Sequence, residues 1–126
     1  PEWMDRHLPR QFEALAGLDV PITHYKVCST LDSAPTVGSI GRAIDLALPI
    51  LGGSWHLLLV AAPPLGRWQA FGNLFARMGE ETYRLDRHPV MSRHPVTQMA
   101  EADVARHVAL QTRHPIGLLD LNALRR

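Results

Sequence analysis

The stretch that decides the fold is ITHYKVC at residues 22–28, followed directly by STLDSAPTVGSIG at residues 29–41. In the first segment apolar and polar side chains alternate among β-branched and aromatic residues, which predicts a strand. The second segment is rich in small, hydroxylated and turn-forming residues, which predicts a loop with exposed backbone amides. A strand that ends in such a loop is typical of open parallel sheets, where ligands bind beyond the strand ends.

The regions around this loop indicate an alternation of helices and strands. A helix follows the loop, because an apolar stripe recurs at helical spacing through Ile40, Ala43, Ile44, Ala47 and Leu48. Residues 55–62, WHLLLVAA, are typical of a strand covered on both faces. Further helices are predicted over residues 9–17 and 101–112, and a further strand over residues 116–121. We therefore expect an α/β fold with a mostly parallel sheet flanked by helices, in a Rossmann-like three-layer arrangement.

The remaining segment, residues 66–98, shows no sustained helical period. Its glycines and prolines predict loops, with short strands around Leu74 and Tyr83.

Size and charge narrow the classes of function. At 126 residues the chain has the length of one domain. Its 13 lysines and arginines against 12 acidic residues give a formal charge of +1, which lacks the excess expected for binding nucleic acid. The apolar run at residues 57–65 is far shorter than the roughly 20 residues that cross a membrane. Since Cys28 is the one cysteine, we expect a cytoplasmic protein without an internal disulfide.

The loop also concentrates side chains that suit an anionic, hydroxyl-rich ligand. Lysine and arginine neutralise a carboxylate or phosphate, while serine, threonine and aspartate bond hydroxyls. The candidate binding residues at this strand end are Lys26, Ser29, Thr30, Asp32, Ser33, Ser39 and Arg42. An ordinary strand-to-helix connection with a capped helix is an equally good interpretation of the spacing.

Residues outside the loop give weaker indications. Seven histidines suggest a metal, but none has a spacing such as His-Glu-x-x-His, so no metal site is predicted. His94 lies in the polar segment SRHPVT and could donate hydrogen bonds to such a ligand. The arginines of the middle third, among them Arg67, favour surface ion pairs over contact with a substrate. Cys28 has no partnered base in the sequence and is predicted to be structural rather than nucleophilic.

Several longer segments carry a family resemblance. HYKVCSTLDS at residues 24–33 and VGSIGRA at residues 37–43 are followed in order by APPLGR, FGNLFA, YRLDRHP and SRHPVT. Over about residues 22–112 the chain resembles the four-carbon acid sugar kinase family, once catalogued as a domain of unknown function.

The resemblance implies ATP-dependent phosphorylation of acid sugars such as threonate, erythronate or oxo-tetronate, with ATP and Mg²⁺ as cofactors of the parent protein. Residues 1–126 are then expected to be part of an N-terminal acid-sugar-binding domain of a larger two-domain kinase. The C-terminal nucleotide domain is absent from this chain, which by itself is expected to bind no cofactor. The substrate-binding residues implied are Lys26, Ser29, Asp32, Ser33, Arg42, Arg67 and His94.

The family's Asp-Asp-x-Thr-Gly segment does not occur in this sequence. The expected catalytic aspartate therefore lies outside these residues, and the catalytic residues stay unknown. The sheet is also expected to be incomplete at its N-terminal edge, which favours homo-oligomers. An alternative function is that of a non-catalytic binding protein, similar to a type III effector.

Overall fold

The computed structural model describes residues 2–125. Its elements in chain order are α1 (Glu2–Ala16), α2 (Ile40–Leu51), β1 (Arg67–Ala70), β2 (Asn73–Met78), β3 (Glu81–Arg84), α3 (Val104–Ala109) and α4 (Leu121–Leu124). Short 3-10 helices lie at Pro63–Leu65, Leu85–Arg87 and Met91–Arg93. The fold is therefore α/β, as the sequence predicts.

The first two helices are present where the apolar spacing places them. Helix α1 begins at Glu2 rather than near residue 9 and includes Pro9 in its interior. A proline there removes one backbone hydrogen bond, which the remaining turns tolerate. Phe12 is the buried residue of α1, and α1 packs on α2. Helix α2 ends at Leu51 and is capped by Gly52, whose N–H donates to the carbonyl of Leu48 at 3.1 Å.

The sheet is small and antiparallel, in the order β1, β2, β3. Trp68 of β1 pairs with Phe75 of β2, and Ala76 of β2 pairs with Tyr83 of β3. The strands predicted around Leu74 and Tyr83 are thereby confirmed, whereas β1 was not predicted. Side chains alternate along β2, so that Leu74 and Ala76 are fully buried.

The mostly parallel sheet expected from the sequence is not present within residues 2–125. The segments at residues 22–28, 55–61 and 115–120 have neither helical nor strand structure. Several of their apolar side chains are exposed, for example Ile22 at 81% and Trp55 at 73%. A strand needs a neighbour for its backbone N–H and C=O groups. Side-chain alternation shows that a segment suits a strand, but it does not supply the neighbour.

The core lies between the loop after residue 28, the small sheet and α3. Leu31, Leu74, Leu85, Met99 and Val108 are all fully buried in it. The candidate loop is thus fastened directly to the core. No helix within residues 2–125 has the length and apolar character to cross a membrane.

Candidate functional site

Leu31 anchors the start of the candidate loop. Its side chain is fully buried, and its N–H donates to the carbonyl of Cys28 at 2.9 Å. Its φ of 53° lies in the left-handed region that bulky side chains rarely adopt. Such backbone persists where the surrounding contacts hold it, and it is frequent at binding sites. The next residue, Asp32, is only half-buried and remains accessible.

Asp32 and His94 are brought together from distant parts of the chain. The Oδ1 atom of Asp32 lies 3.9 Å from Nδ1 of His94, and both side chains are partly exposed. The backbone N–H of Thr97 donates to His94 Nδ1 at 3.1 Å, so the ring proton lies on Nε2. The two groups lie side by side without bonding to each other. The carboxylate can accept a hydrogen bond from a ligand, and Nε2 can donate one.

Cys28 lies at the entrance to the loop, close to the backbone of Asp32. Its Sγ is 3.1 Å from the hydroxyl of Thr30. Burial raises the pKa of the thiol, but hydrogen bonds from the Thr30 hydroxyl and from the N–H groups of Thr30 and Asp32 outweigh burial, so its pKa is lowered. These bonds hold the backbone of the loop around Cys28, which is half-buried.

Ser33 is buried and bonded entirely to protein groups. Its hydroxyl donates to the carbonyl of Leu31 at 3.1 Å and accepts from Nε2 of Gln111 at 3.0 Å. Nε2 of His107 lies 3.1 Å from both the hydroxyl and the carbonyl oxygen of Ser33. A carbonyl oxygen only accepts, so His107 Nε2 carries a proton. Burial lowers the pKa of His107, which keeps the ring neutral.

The other end of the loop is fastened to the same glutamine. Oε1 of Gln111 accepts from the Ser39 hydroxyl and from the N–H of Gly41, each at 3.2 Å. Ser39 in turn caps α2 by accepting from the N–H of Arg42 at 3.0 Å. The first N–H groups of a helix have no partners within the helix. Side chains satisfy two of them here, which fixes the start of α2.

The remaining predicted residues do not all converge on Asp32. Lys26 is exposed and Ser29 half-buried, and neither side chain has a hydrogen bond to protein within residues 2–125. The guanidinium of Arg42 is held by Asp5 of α1, at 2.7 Å. Arg67 lies on β1, where its Nη1 donates to the carbonyls of Leu65 and Gly66, at 2.8 and 3.1 Å.

Three residues of this site were not predicted: Thr97, His107 and Gln111. Thr97 stands in the segment SRHPVT beside His94, so a turn motif could have indicated it. In the helix predicted over residues 101–112, His107 and Gln111 are four positions apart and share one face, which is a signal for a common target. Among residues 2–125 no group of three or more histidine, cysteine, aspartate or glutamate residues is placed to hold a metal ion.

A family model described as a sugar-binding N-terminal domain matches residues 1–126. The chain belongs to this family. A Paraburkholderia graminis protein named 3-oxo-isoapionate kinase is 55% identical to the sugar-binding domain, over 98% of this chain and 26% of its own length. A Pseudomonas fluorescens protein named 3-oxo-tetronate kinase is 35% identical, over 79% of this chain and 22% of its own length.

The structural comparison agrees with the sequence comparison. A crystal structure of a Haemophilus influenzae protein, described as a member of a family of unknown function, superimposes with a TM-score of 0.77 and 27% identity. The match covers 93% of the sugar-binding domain and 27% of that protein. The resemblance inferred from the loop and the downstream segments is confirmed. The sugar-binding domain spans about a quarter of the length of the relatives it matches.

Proposed function

We propose that the sugar-binding domain forms the substrate-binding part of an ATP-dependent kinase that phosphorylates a four-carbon acid sugar or a close relative. The observation that carries this proposal is the family match over residues 1–126, together with 55% identity to a protein named as a kinase of a 3-oxo sugar acid. We place this kinase in the cytoplasm, where the free thiol of Cys28 stays reduced.

Four side chains are assigned to the acid sugar. Asp32 accepts hydrogen bonds from its hydroxyls, and His94 donates one from Nε2. Lys26 is exposed, has no ion pair within residues 2–125 and is suited to neutralise the carboxylate. Ser29 lies between Lys26 and Asp32 in the sequence and adds a hydroxyl. This set supplies both the charge and the hydrogen-bonding groups that a sugar acid requires.

Three predicted residues have a different place in the proposal. Ser33 is 2% exposed, so its hydroxyl stabilises the loop and does not contact the ligand. Arg42 joins α2 to α1 through Asp5. Nη1 of Arg67 is bonded to backbone carbonyls, so Arg67 has the least support among the predicted residues for contacting the acid sugar.

ATP and Mg²⁺ belong to the proposed reaction of the parent protein. Phosphoryl transfer depends on holding the γ-phosphate, the metal ion and the accepting hydroxyl in line. In this proposal the sugar-binding domain binds the acid sugar and orients its accepting hydroxyl. We assign the phosphate-binding groups to a nucleotide domain of the parent protein. We assign the catalytic aspartate to a segment of the parent protein outside residues 1–126.

We further propose that residues 22–28, 55–61 and 115–120 become strands of a parallel sheet in the parent protein. Their exposed apolar side chains and the lack of a paired strand beside them within residues 2–125 support this role. The non-catalytic alternative has less support, because the curated relatives described above carry the names of kinases.

The test is a screen of ATP consumption by the complete gene product against threonate, erythronate, 3-oxo-tetronate and 3-oxo-isoapionate. We expect turnover with at least one of them. Lys26→Ala and Asp32→Asn should each raise the KM for that acid by tenfold to a hundredfold, because a hydrogen bond to a charged group contributes about 1.5–3 kcal/mol. The KM for ATP should change by less than about twofold.

Two exposed residues of the same chemistry serve as matched controls. Arg10→Ala removes a positive charge from α1, and Asp19→Asn removes a carboxylate from the turn after it. Both should leave the KM for the acid sugar unchanged. Turnover of none of the four acids would refute the proposed function, and unchanged KM values in Lys26→Ala and Asp32→Asn would refute the proposed site.

A further inference from the structure

One side-chain amide connects the two ends of the candidate loop. Nε2 of Gln111 donates to the Ser33 hydroxyl at 3.0 Å, where the loop leaves the core. Oε1 of the same amide accepts from the Ser39 hydroxyl and the N–H of Gly41, at 3.2 Å each, where the loop enters α2. Residues 34–38 lie between these points. Gln111 therefore fixes the distance between the ends of the loop.

His107 adds a second attachment at the same point. Its Nε2–H donates towards Ser33, at 3.1 Å from the carbonyl oxygen. His107 is 7% exposed and Ser33 is 2% exposed, so neither can exchange these bonds for water without opening the structure. The hydrogen bonds of Ser33 are thus made to Leu31, to His107 of α3 and to Gln111 in the turn after α3, and together they determine its position.

The contact at Gly41 shows how closely Gln111 packs against the start of α2. A Cβ added at Gly41 would lie 2.5 Å from the carbonyl carbon of Gln111 and 2.5 Å from its Cβ. Real Cβ atoms do not approach backbone this closely. The glycine therefore allows the start of α2 and the chain at residue 111 to touch, independently of the hydrogen bonds.

These contacts act on the residue that precedes Ser33. Asp32 shares a peptide group with Ser33, and its carboxylate lies 3.9 Å from His94 Nδ1. A displacement of Ser33 moves Asp32 relative to His94. Displacements of about 1 Å at a binding group are known to change activity by around a hundredfold.

We propose that Gln111 is a positioning residue of the acid-sugar site, which acts through Ser33 on Asp32. His107, which is bonded to the same serine, has the same role. This inference rests on the proposed function and adds a residue that does not touch the substrate. Gln111 would keep the loop in its binding shape before the substrate arrives, so that the substrate does not have to order the loop.

The kinetic test uses the complete gene product. We expect Gln111→Leu to raise the KM for the phosphorylated acid sugar at least tenfold, with the KM for ATP changed by less than twofold. The matched control is Gln69→Leu, since Oε1 of Gln69 also accepts from a backbone N–H, that of Val60 at 3.1 Å, and Gln69 has no hydrogen bond to residues 29–41. Gln69→Leu should leave the KM for the acid sugar unchanged.

A double-mutant cycle separates positioning from a general structural role. If Gln111 acts through Asp32, the combination of Gln111→Leu with Asp32→Asn should raise KM by much less than the product of the two single effects. Multiplicative effects would show that Gln111 and Asp32 contribute independently, and would overturn the inference.

Hydrogen exchange supplies a readout that does not depend on activity. Gln111→Leu removes the acceptor of the Gly41 N–H, so exchange in the peptide covering residues 29–41 should accelerate at least tenfold, with no change in Gln69→Leu. Unchanged exchange would overturn the inference while leaving the proposed function intact. Absence of turnover with every acid sugar would instead refute the proposed function, and the inference with it.

Discussion

Gly41→Ala should destabilise the sugar-binding domain, although the same change usually stabilises a helix. Alanine is favoured over glycine inside a helix by about 1 kcal/mol. Here the new Cβ would lie 2.5 Å from two carbon atoms of Gln111 and 2.7 Å from its carbonyl oxygen. These distances are about 1 Å shorter than favourable carbon contacts, which lie near 3.5–4.0 Å. Helix α2 and residue 111 must therefore separate.

The cost follows from two effects of this separation. Overpacking of a tight contact costs about 1–3 kcal/mol. The hydrogen bond from the Gly41 N–H to Gln111, which contributes about 1 kcal/mol, is lost or stretched as well. After the gain in helix propensity is subtracted, we expect the free energy of unfolding to fall by about 1–3 kcal/mol. Denaturant titration of the 126-residue chain at low concentration, followed by tryptophan fluorescence, measures this change.

Gly17→Ala provides the comparison, because Gly17 follows the end of α1 in a roomier position. Its added Cβ would meet the carbonyl oxygens of Glu13 and Ala14 at 3.6 Å, an ordinary contact distance. We expect the free energy of unfolding of this variant to stay within about 0.5 kcal/mol of the parent or to rise. A Gly41→Ala chain as stable as Gly17→Ala would refute the packing argument at Gln111.

Three further predictions concern pH, the core and the isolated chain. Burial lowers the pKa of both His88 and His107, with the charge of Arg67 adding to the effect at His88, so the unfolded histidines take up protons first as pH falls. Below about pH 6.5 the free energy of unfolding should therefore fall, by at most about 1.4 kcal/mol per pH unit for each histidine, and equal stability at pH 7.5 and 5.5 would contradict this. Leu31→Ala should cost about 2–5 kcal/mol in a thermal or denaturant titration, whereas Leu57→Ala, at a position 65% exposed, should cost less than about 0.5 kcal/mol. The 126-residue chain alone should show no ATP turnover with any acid sugar and should elute from a sizing column as more than a monomer, because apolar segments are exposed; turnover, or a stable monomer at high concentration, would disagree with this expectation.

Local pattern was sufficient for the elements whose stability is decided locally. The stripe from Ile40 to Leu48 predicted α2, and the capping hydroxyl of Ser39 lies where a helix start requires it. The turn residues between Ser29 and Gly41 predicted the loop, and its position between a predicted strand and a helix led to the prediction of a binding role. These signals depend on neighbours within a few positions along the chain.

Long-range partners were beyond the reach of the same reasoning. The alternation at residues 22–28 and the apolar run at residues 55–62 show that side chains suit a strand, but pairing requires a second strand that no local pattern reveals. Likewise the pattern predicted Ser33 and Arg42 as ligand-binding residues, but it did not reveal that Ser33 is bonded to Gln111 and Arg42 to Asp5. Polar side chains in a loop are equally suited to bind protein or ligand, and only the fold decides between them.

The hydrogen bonds that shape the loop also determine when it can form during synthesis. Ser33, Ser39 and Gly41 are bonded to residues that follow them by 70 to 78 positions. At translation rates of about 5–20 residues per second, the ribosome needs roughly 4–15 s to add that length of chain. Until Gln111 emerges, the nascent loop has only its local hydrogen bonds and lacks the amide that joins Ser33 to Ser39 and Gly41. A ribosome that stalls before this codon therefore holds a chain whose first helices can form while its loop cannot close.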